Sequence, residues 1–152
     1  MKWVNDLLLN GRKICGILTQ MEMESETGEI REIIIGIGIN VQQTRSDFPE
    51  ELREIAGSLY QETGIRVPRA RLAAEVIREL DPLIEALPDD PSYLMRYRED
   101  SVVVGKKIRV LTSSGEKKAG AVSIGDDFSL LVRYEDGSEE SLHGGEISIR
   151  PF

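Results

Sequence analysis

Hydrophobic residues in this chain change their spacing twice, and that double switch limits the fold more than any single motif. Strands bring alternate residues to one face and helices bring every third or fourth, so the spacing reads out which element each segment can form. In residues 1–46, Leu7-Leu8-Leu9 and Ile14, Cys15, Ile17 and Leu18 flank Asn10-Gly11. Asn-Gly between apolar runs predicts a hairpin, because both residues tolerate the positive φ that a type I′ turn needs. Ile33-Ile34-Ile35-Gly36-Ile37-Gly38-Ile39 is nearly continuous and predicts a strand buried on both faces, with a polar turn at Glu24–Glu29 before it. Residues 47–101 take helical spacing. Leu52, Ile55, Ala56, Leu59 and Tyr60 predict one helix between Pro49 and Gly64. Leu72, Ala73, Val76, Ile77, Leu80, Leu83, Ile84 and Leu87 predict a longer one that Pro82 kinks or ends early, with Pro88 and Pro91 as its outer limit. A short helix follows at Tyr93–Tyr97. After Val104-Gly105 the strand period returns over Lys106–Thr112, Lys118–Ile124, Phe128–Tyr134, Glu139–Leu142 and Glu146–Arg150, punctuated by Ser114-Gly115, Gly125-Asp126 and Asp136-Gly137. That rhythm predicts a small β-barrel. The fold class is α+β: a mixed piece over 1–101 and a barrel module over 102–152.

Composition then removes whole classes of function. The chain has 152 residues, 40% hydrophobic and 30% charged, which is the balance of a soluble globular protein. Its net charge is −8, and 13 of its 27 acidic groups against 7 basic ones fall in residues 47–101. An acidic chain is not built to neutralise phosphate backbones, so no nucleic acid partner is expected. The single Cys15 excludes a disulfide scaffold. No run approaches the roughly 20 apolar residues of a membrane span, and Met1–Asp6 has no signal-peptide core, so no membrane partner and a cytoplasmic address are expected.

Polar residues cluster beside the hairpin: Lys2, Asn5, Asp6, Asn10, Arg12 and Lys13. Asn10–Lys13 reads either as a solvated tip or as the edge of a ligand site, where a lysine ammonium would meet a phosphate or carboxylate. Gly16 would let that ligand approach the strand closely. Gly36-Ile37-Gly38 lacks the third glycine and the following helix of a dinucleotide fingerprint, so its bare positions read as room for a neighbouring element. Asn40 reads as a turn cap or as a hydrogen-bonding group for an adenine edge. Cys15 and the single His143 do not form a nucleophile pair or metal set in sequence, and no metal ligand set is expected. Trp3 reads as a core or ligand-wall aromatic.

Lys2-Trp3-Val4-Asn5-Asp6 with the hairpin through Leu18 resembles the Lys-Trp-Pro-Asn-Asp stretch of bacterial biotin protein ligases, and Gly36–Asn40 resembles their Gly-x-Gly-Ile-Asn strand. Phe48–Leu52 and Gly144–Arg150 are similar to further segments of that family. The resemblance implies the C-terminal part of a class II aminoacyl-tRNA-synthetase-like catalytic domain over 1–101, followed by an SH3-like barrel over 102–152. It implies an enzyme that joins biotin and ATP into biotinyl-5′-adenylate and transfers biotin to a lysine of a carrier domain, such as that of acetyl-CoA carboxylase. Lys13 would be the catalytic cation on the biotin carboxyl and α-phosphate. Asn5 and Asp6 would hold the nucleotide and its Mg²⁺ beside a wall made by Lys2 and Trp3. Gly16, Gly36 and Gly38 would face the ligand, and Asn40 would reach the adenine. Val4 stands where the family has proline, which removes a φ lock. The glycine- and arginine-rich biotin loop, the N-terminal half of the catalytic sheet and the DNA-binding winged helix of some members are not found, so the chain reads as beginning partway through the domain. It is therefore expected to lack ligase activity alone, and to pair through an exposed sheet edge as a homodimer or by strand exchange. Two other readings stay open: a non-catalytic binding or assembly module, and a related lipoate ligase.

Overall fold

The computed structural model describes residues 1–86, 92–112 and 115–148; the expected helix limits Leu87, Pro88 and Pro91, the turn residue Ser114 and the strand end Ile149-Arg150 lie outside them. The chain divides into two compact units, one formed by Asn5–Pro82 and the other by Met1–Val4 with Leu83–Phe152.

In the first unit, β1 (Asp6–Leu9), β2 (Arg12–Met23) and β3 (Ile30–Ile39) form an antiparallel sheet in the order β1-β2-β3. The turn between β1 and β2 is the expected one, with Asn10 at φ 50° and Gly11 at φ 80°. The expectation that β3 is buried on both faces is corrected. Ile33, Ile34 and Ile35 are exposed, and β3 pairs only with β2 among the described residues. A run of isoleucines specifies a strand through its stiff branched side chains whether or not anything covers it.

The helix expected over Leu52–Tyr60 is also corrected. A 3-10 turn at Glu50–Leu52 is followed by a non-helical stretch and then by α1 (Leu59–Thr63). Ile55–Gly57 is drawn out because it pairs with β2: Lys13 N–H donates to Ile55 C=O at 2.8 Å and Gly57 N–H donates to Lys13 C=O at 2.9 Å. Two long-range bonds outweigh the weak local preference for helix. Buried Ser58 then caps α1 by accepting from Gln61 N–H, and Gly64 closes it in the left-handed region at φ 73°. α2 spans Arg69–Ala86 and runs past Pro82 instead of ending there.

In the second unit, α3 (Ser92–Glu99) precedes β4 (Lys107–Thr112), β5 (Gly115–Ile124), β6 (Leu130–Tyr134), β7 (Glu139–Leu142) and β8 (Glu146–Ser148). These form one antiparallel sheet in the order β7-β6-β5-β4-β8. Strand alternation sends Ile108, Val110, Ala119, Ala121, Leu130, Val132 and Ile147 into one core with Trp3, Val103 and Ile124. β6 starts later than expected, because Gly125–Ser129 forms a longer turn that places Phe128 at φ 63°. The carbonyl of Phe128 accepts from the Trp3 indole at 2.9 Å, and its ring stacks on Tyr93 and meets Tyr97 edge-on.

Candidate functional site

The pairing of β1 with β2 decides which face Lys13 occupies. Asp6 lies opposite Gly16 and Leu7 opposite Cys15, but Leu8 lies opposite Lys13, so Ile14 is an extra residue in the ladder. Strict alternation would put Lys13 on the face of Cys15. The bulge turns it to the face of Asp6 and Gly16, as bulges commonly re-aim one side chain. There Lys13 Nζ lies 2.6 Å from Asp6 Oδ1.

Further along, the same face carries Leu18 but is otherwise low, because glycines occupy its neighbouring positions. Gly16 pairs with Gly38 and Leu18 with Gly36, which places three glycines on adjacent strands beside the ion pair. A Cβ on Gly16 would meet Lys13 Cε and Nζ at 3.1 Å, so the lysine stem lies over the space that glycine leaves. The arrangement is a fixed cation beside exposed backbone, and it suits an anionic group attached to a flat or elongated ligand.

The remaining expected residues divide between the units. Asn5 ties the base of the hairpin: its Nδ2 donates to Ile17 C=O at 2.5 Å, and Ile17 N–H donates to Asn5 C=O at 2.9 Å. Asn40 follows β3 directly, and there its N–H donates to Ile14 C=O and its C=O accepts from Leu59 N–H, both within 2.9 Å. Its carboxamide has no hydrogen-bond partner among the described residues. Lys2 and Trp3 belong to the other unit. Trp3 is 3% exposed in that unit's core, so the core-aromatic alternative describes its placement. The Trp3–Val4 peptide bond is cis.

Sequence reasoning missed Glu62. This α1 carboxylate is almost wholly buried, with its Oε1 3.0 Å from Arg12 Nη1 and its Oε2 accepting from Asn10 Nδ2 at 3.2 Å. Nothing local in the sequence marks a pairing fifty residues away.

Other polar groups are already engaged. An open cavity of about 390 Å³ is lined by Thr44, Arg45, Ser46 and Arg53, but Arg45 pairs with Glu54, Thr44 bonds Asp47, and Arg53 Nε donates to Phe48 C=O. The Cys15 thiol is pushed up by burial against the opposing field of Lys13, which leaves it a poor nucleophile. His143 Nδ1 lies 3.5 Å from Asp127. Among the described residues, no three His, Cys, Asp or Glu side chains group as metal ligands, and no helix is long and apolar enough to cross a membrane.

Comparisons with known proteins match this hairpin and nearly all of the chain around it. Residues 1–40 match the Biotin/lipoate A/B protein ligase family. The bifunctional ligase/repressor BirA of Bacillus subtilis is 37% identical over 98% of the chain. This chain is homologous to the bacterial biotin protein ligases. The biotin–[acetyl-CoA-carboxylase] ligase of Mycobacterium tuberculosis is 30% identical over 97% of the chain. The chain spans about half the length of these ligases, 46% of the first and 52% of the second. The fold agrees: the apo biotin protein ligase of Aquifex aeolicus superposes with TM-score 0.79 and its complex with biotin and ATP with 0.76, each 24% identical over 99% of this chain and covered to 64% and 61%.

Proposed function

We propose that this chain carries the adenylate-handling hairpin of a biotin protein ligase, which activates biotin with ATP and passes it to a lysine of a biotin carrier domain. The observation that carries the reading is the Lys13–Asp6 pair set beside Gly16, Gly36 and Gly38 on one sheet face. Attack of the biotin carboxylate on the α-phosphorus builds negative charge on phosphoryl oxygens, and a positioned ammonium stabilises that charge as it develops. Lys13 serves that role. Asp6 holds the ammonium in place, and Asn5 fixes the backbone that carries Asp6. The bare strands at Gly16, Gly36 and Gly38 admit the ligand against backbone, and the unbonded carboxamide of Asn40 meets the adenine. Mg²⁺ enters as the counter-ion of ATP, with Asp6, the partner of Lys13, as its nearest candidate contact; among the described residues Asp6 stands in no group of three metal-ligating side chains.

Residues 1–101 on this reading belong to the catalytic domain and 102–152 to the SH3-like module, with a cytoplasmic address. The free edge of β3 and its exposed isoleucines then take the further strands of the catalytic sheet, or a second copy of the chain. Without them the glycine face stays open to water, and a reactive acyl-adenylate hydrolyses in an open site. Residues 1–152 alone are therefore expected to show no turnover.

The test is a chimera in which residues 1–152 replace the matching part of the Bacillus subtilis relative. Biotin-dependent exchange of labelled pyrophosphate into ATP is expected, with none when lipoate replaces biotin. Lys13→Ala should lower the exchange about 10²- to 10³-fold. A folded chimera that exchanges equally with and without that substitution would remove Lys13 from the chemistry.

A further inference from the structure

The back of the hairpin holds a second ion pair whose position is tied to the first. Arg12 precedes Lys13 in β2 and pairs with Leu9, so alternation puts it on the face opposite Lys13. There its Nη1 meets Glu62 Oε1 at 3.0 Å; the Glu62 side chain is 4% exposed and that of Arg12 30%. Asn10 of the turn bonds the same carboxylate. Between the two pairs runs the backbone of Lys13, held by Ile55 C=O on its N–H and by Gly57 N–H on its C=O. Gly57 is packed tightly against this arrangement: a Cβ there would lie 2.8 Å from Glu62 Oε1 and 3.0 Å from Arg12 Cβ. So α1, the 55–57 segment and the start of β2 meet around one nearly buried carboxylate.

We propose that Glu62 is a positioning residue for Lys13. Through Arg12 and Asn10 it fastens the hairpin tip to α1, which keeps Ile55–Gly57 clamped on the Lys13 backbone and holds the ammonium beside Asp6. A charge-assisted bond to a desolvated carboxylate is strong enough for this, whereas an exposed pair is not. The proposal rests on Lys13 as the ligand-facing cation only for its functional meaning. Its test contains no ligand, so its failure leaves the ligase reading standing.

The test uses the 152-residue chain, with amide hydrogen exchange and the Lys13 ¹³Cε resonance as readouts. Glu62→Gln should speed exchange at the Lys13 and Gly57 amides roughly tenfold, consistent with loss of one charged hydrogen bond. The Ile17 amide, bonded to Asn5 within the same unit, should keep its rate. The Lys13 resonance should move toward its position in Asp6→Asn, where the ammonium has lost its partner. Arg12→Gln, a change at a part-exposed side chain, should give the same pattern if Glu62→Gln does not fold. Glu54→Gln removes the exposed pair with Arg45 and should change neither readout. Uniform acceleration that includes Ile17 would reduce Glu62 to a general stabiliser and overturn the proposal. Unchanged Lys13 protection and resonance in both variants, or an equal response to Glu54→Gln, would overturn it as well.

Discussion

The two sheets use similar strand sequences to opposite ends. The five-stranded sheet sends Ile108, Val110, Leu130, Val132 and Ile147 into a closed core, while the hairpin unit buries Cys15, Val41 and Phe48 and leaves Ile33–Ile35, Met21 and Leu18 exposed. The difference teaches that a β-branched run specifies a strand, but the rest of the chain decides whether that strand is covered. Mutation should break the symmetry of sequence cleanly. Leu130→Ala removes a fully buried side chain and should cost about 2–5 kcal/mol. Ile34→Ala, at a residue 52% exposed, should stay within about 0.5 kcal/mol. Urea unfolding measures both, and similar losses would mean that the β3 face is covered in solution.

Glycines sharpen the comparison at the site. Gly16→Ala forces the Lys13 stem away from its place, whereas a Cβ on Gly120 of β5 finds its nearest neighbour at 4.0 Å. In the chimera, Gly16→Ala should cut pyrophosphate exchange by as much as about 100-fold, because small displacements of catalytic groups are costly. Its stability should change little, since the pair it disturbs is partly exposed. Gly120→Ala should leave exchange unchanged. Trp3→Phe is milder: it keeps the ring in the core but loses the bond to Phe128 C=O, and should cost about 1 kcal/mol in thermal unfolding followed by circular dichroism.

How much of this was legible in the sequence follows from the range of each interaction. The hairpin was readable because Asn10 and Gly11 carry their positive φ requirement locally. The alternation of β4 and β6 was readable for the same reason. The break in the expected Leu52–Tyr60 helix was not, because Ile55 and Gly57 answer to Lys13, more than forty residues away. The face occupied by Lys13 depends on one extra residue at Ile14, which no periodicity reveals. Glu62 was illegible because an acidic residue in a short helix looks the same whether it faces water or Arg12. Positions of site residues were thus readable along the chain, while the contacts that orient them were written elsewhere in it.

The smallest effect expected is a pH response confined to the five-stranded unit. Burial, with the Glu140 carboxylate beside it, pushes the Tyr134 phenol from 10.0 to about 12. The folded unit therefore keeps that proton at pH values where the unfolded chain has lost it. The unfolded chain binds fewer protons in this window, so stability falls as pH rises from about 10 toward 12, and below it the Tyr134 contribution is fully present and independent of pH. Tyr97, raised by burial alone, adds to the loss in the same direction. Trp3 is the one tryptophan of the chain and lies in this unit's core, so its fluorescence reads unfolding of that core. Tyr134→Phe should flatten the alkaline part of that stability profile and Tyr97→Phe should flatten it less. A profile that Tyr134→Phe leaves unchanged would mean that the phenol titrates in the folded chain as it does in the unfolded one. The bond from its hydroxyl to Glu140 would then contribute nothing to holding β6 against β7.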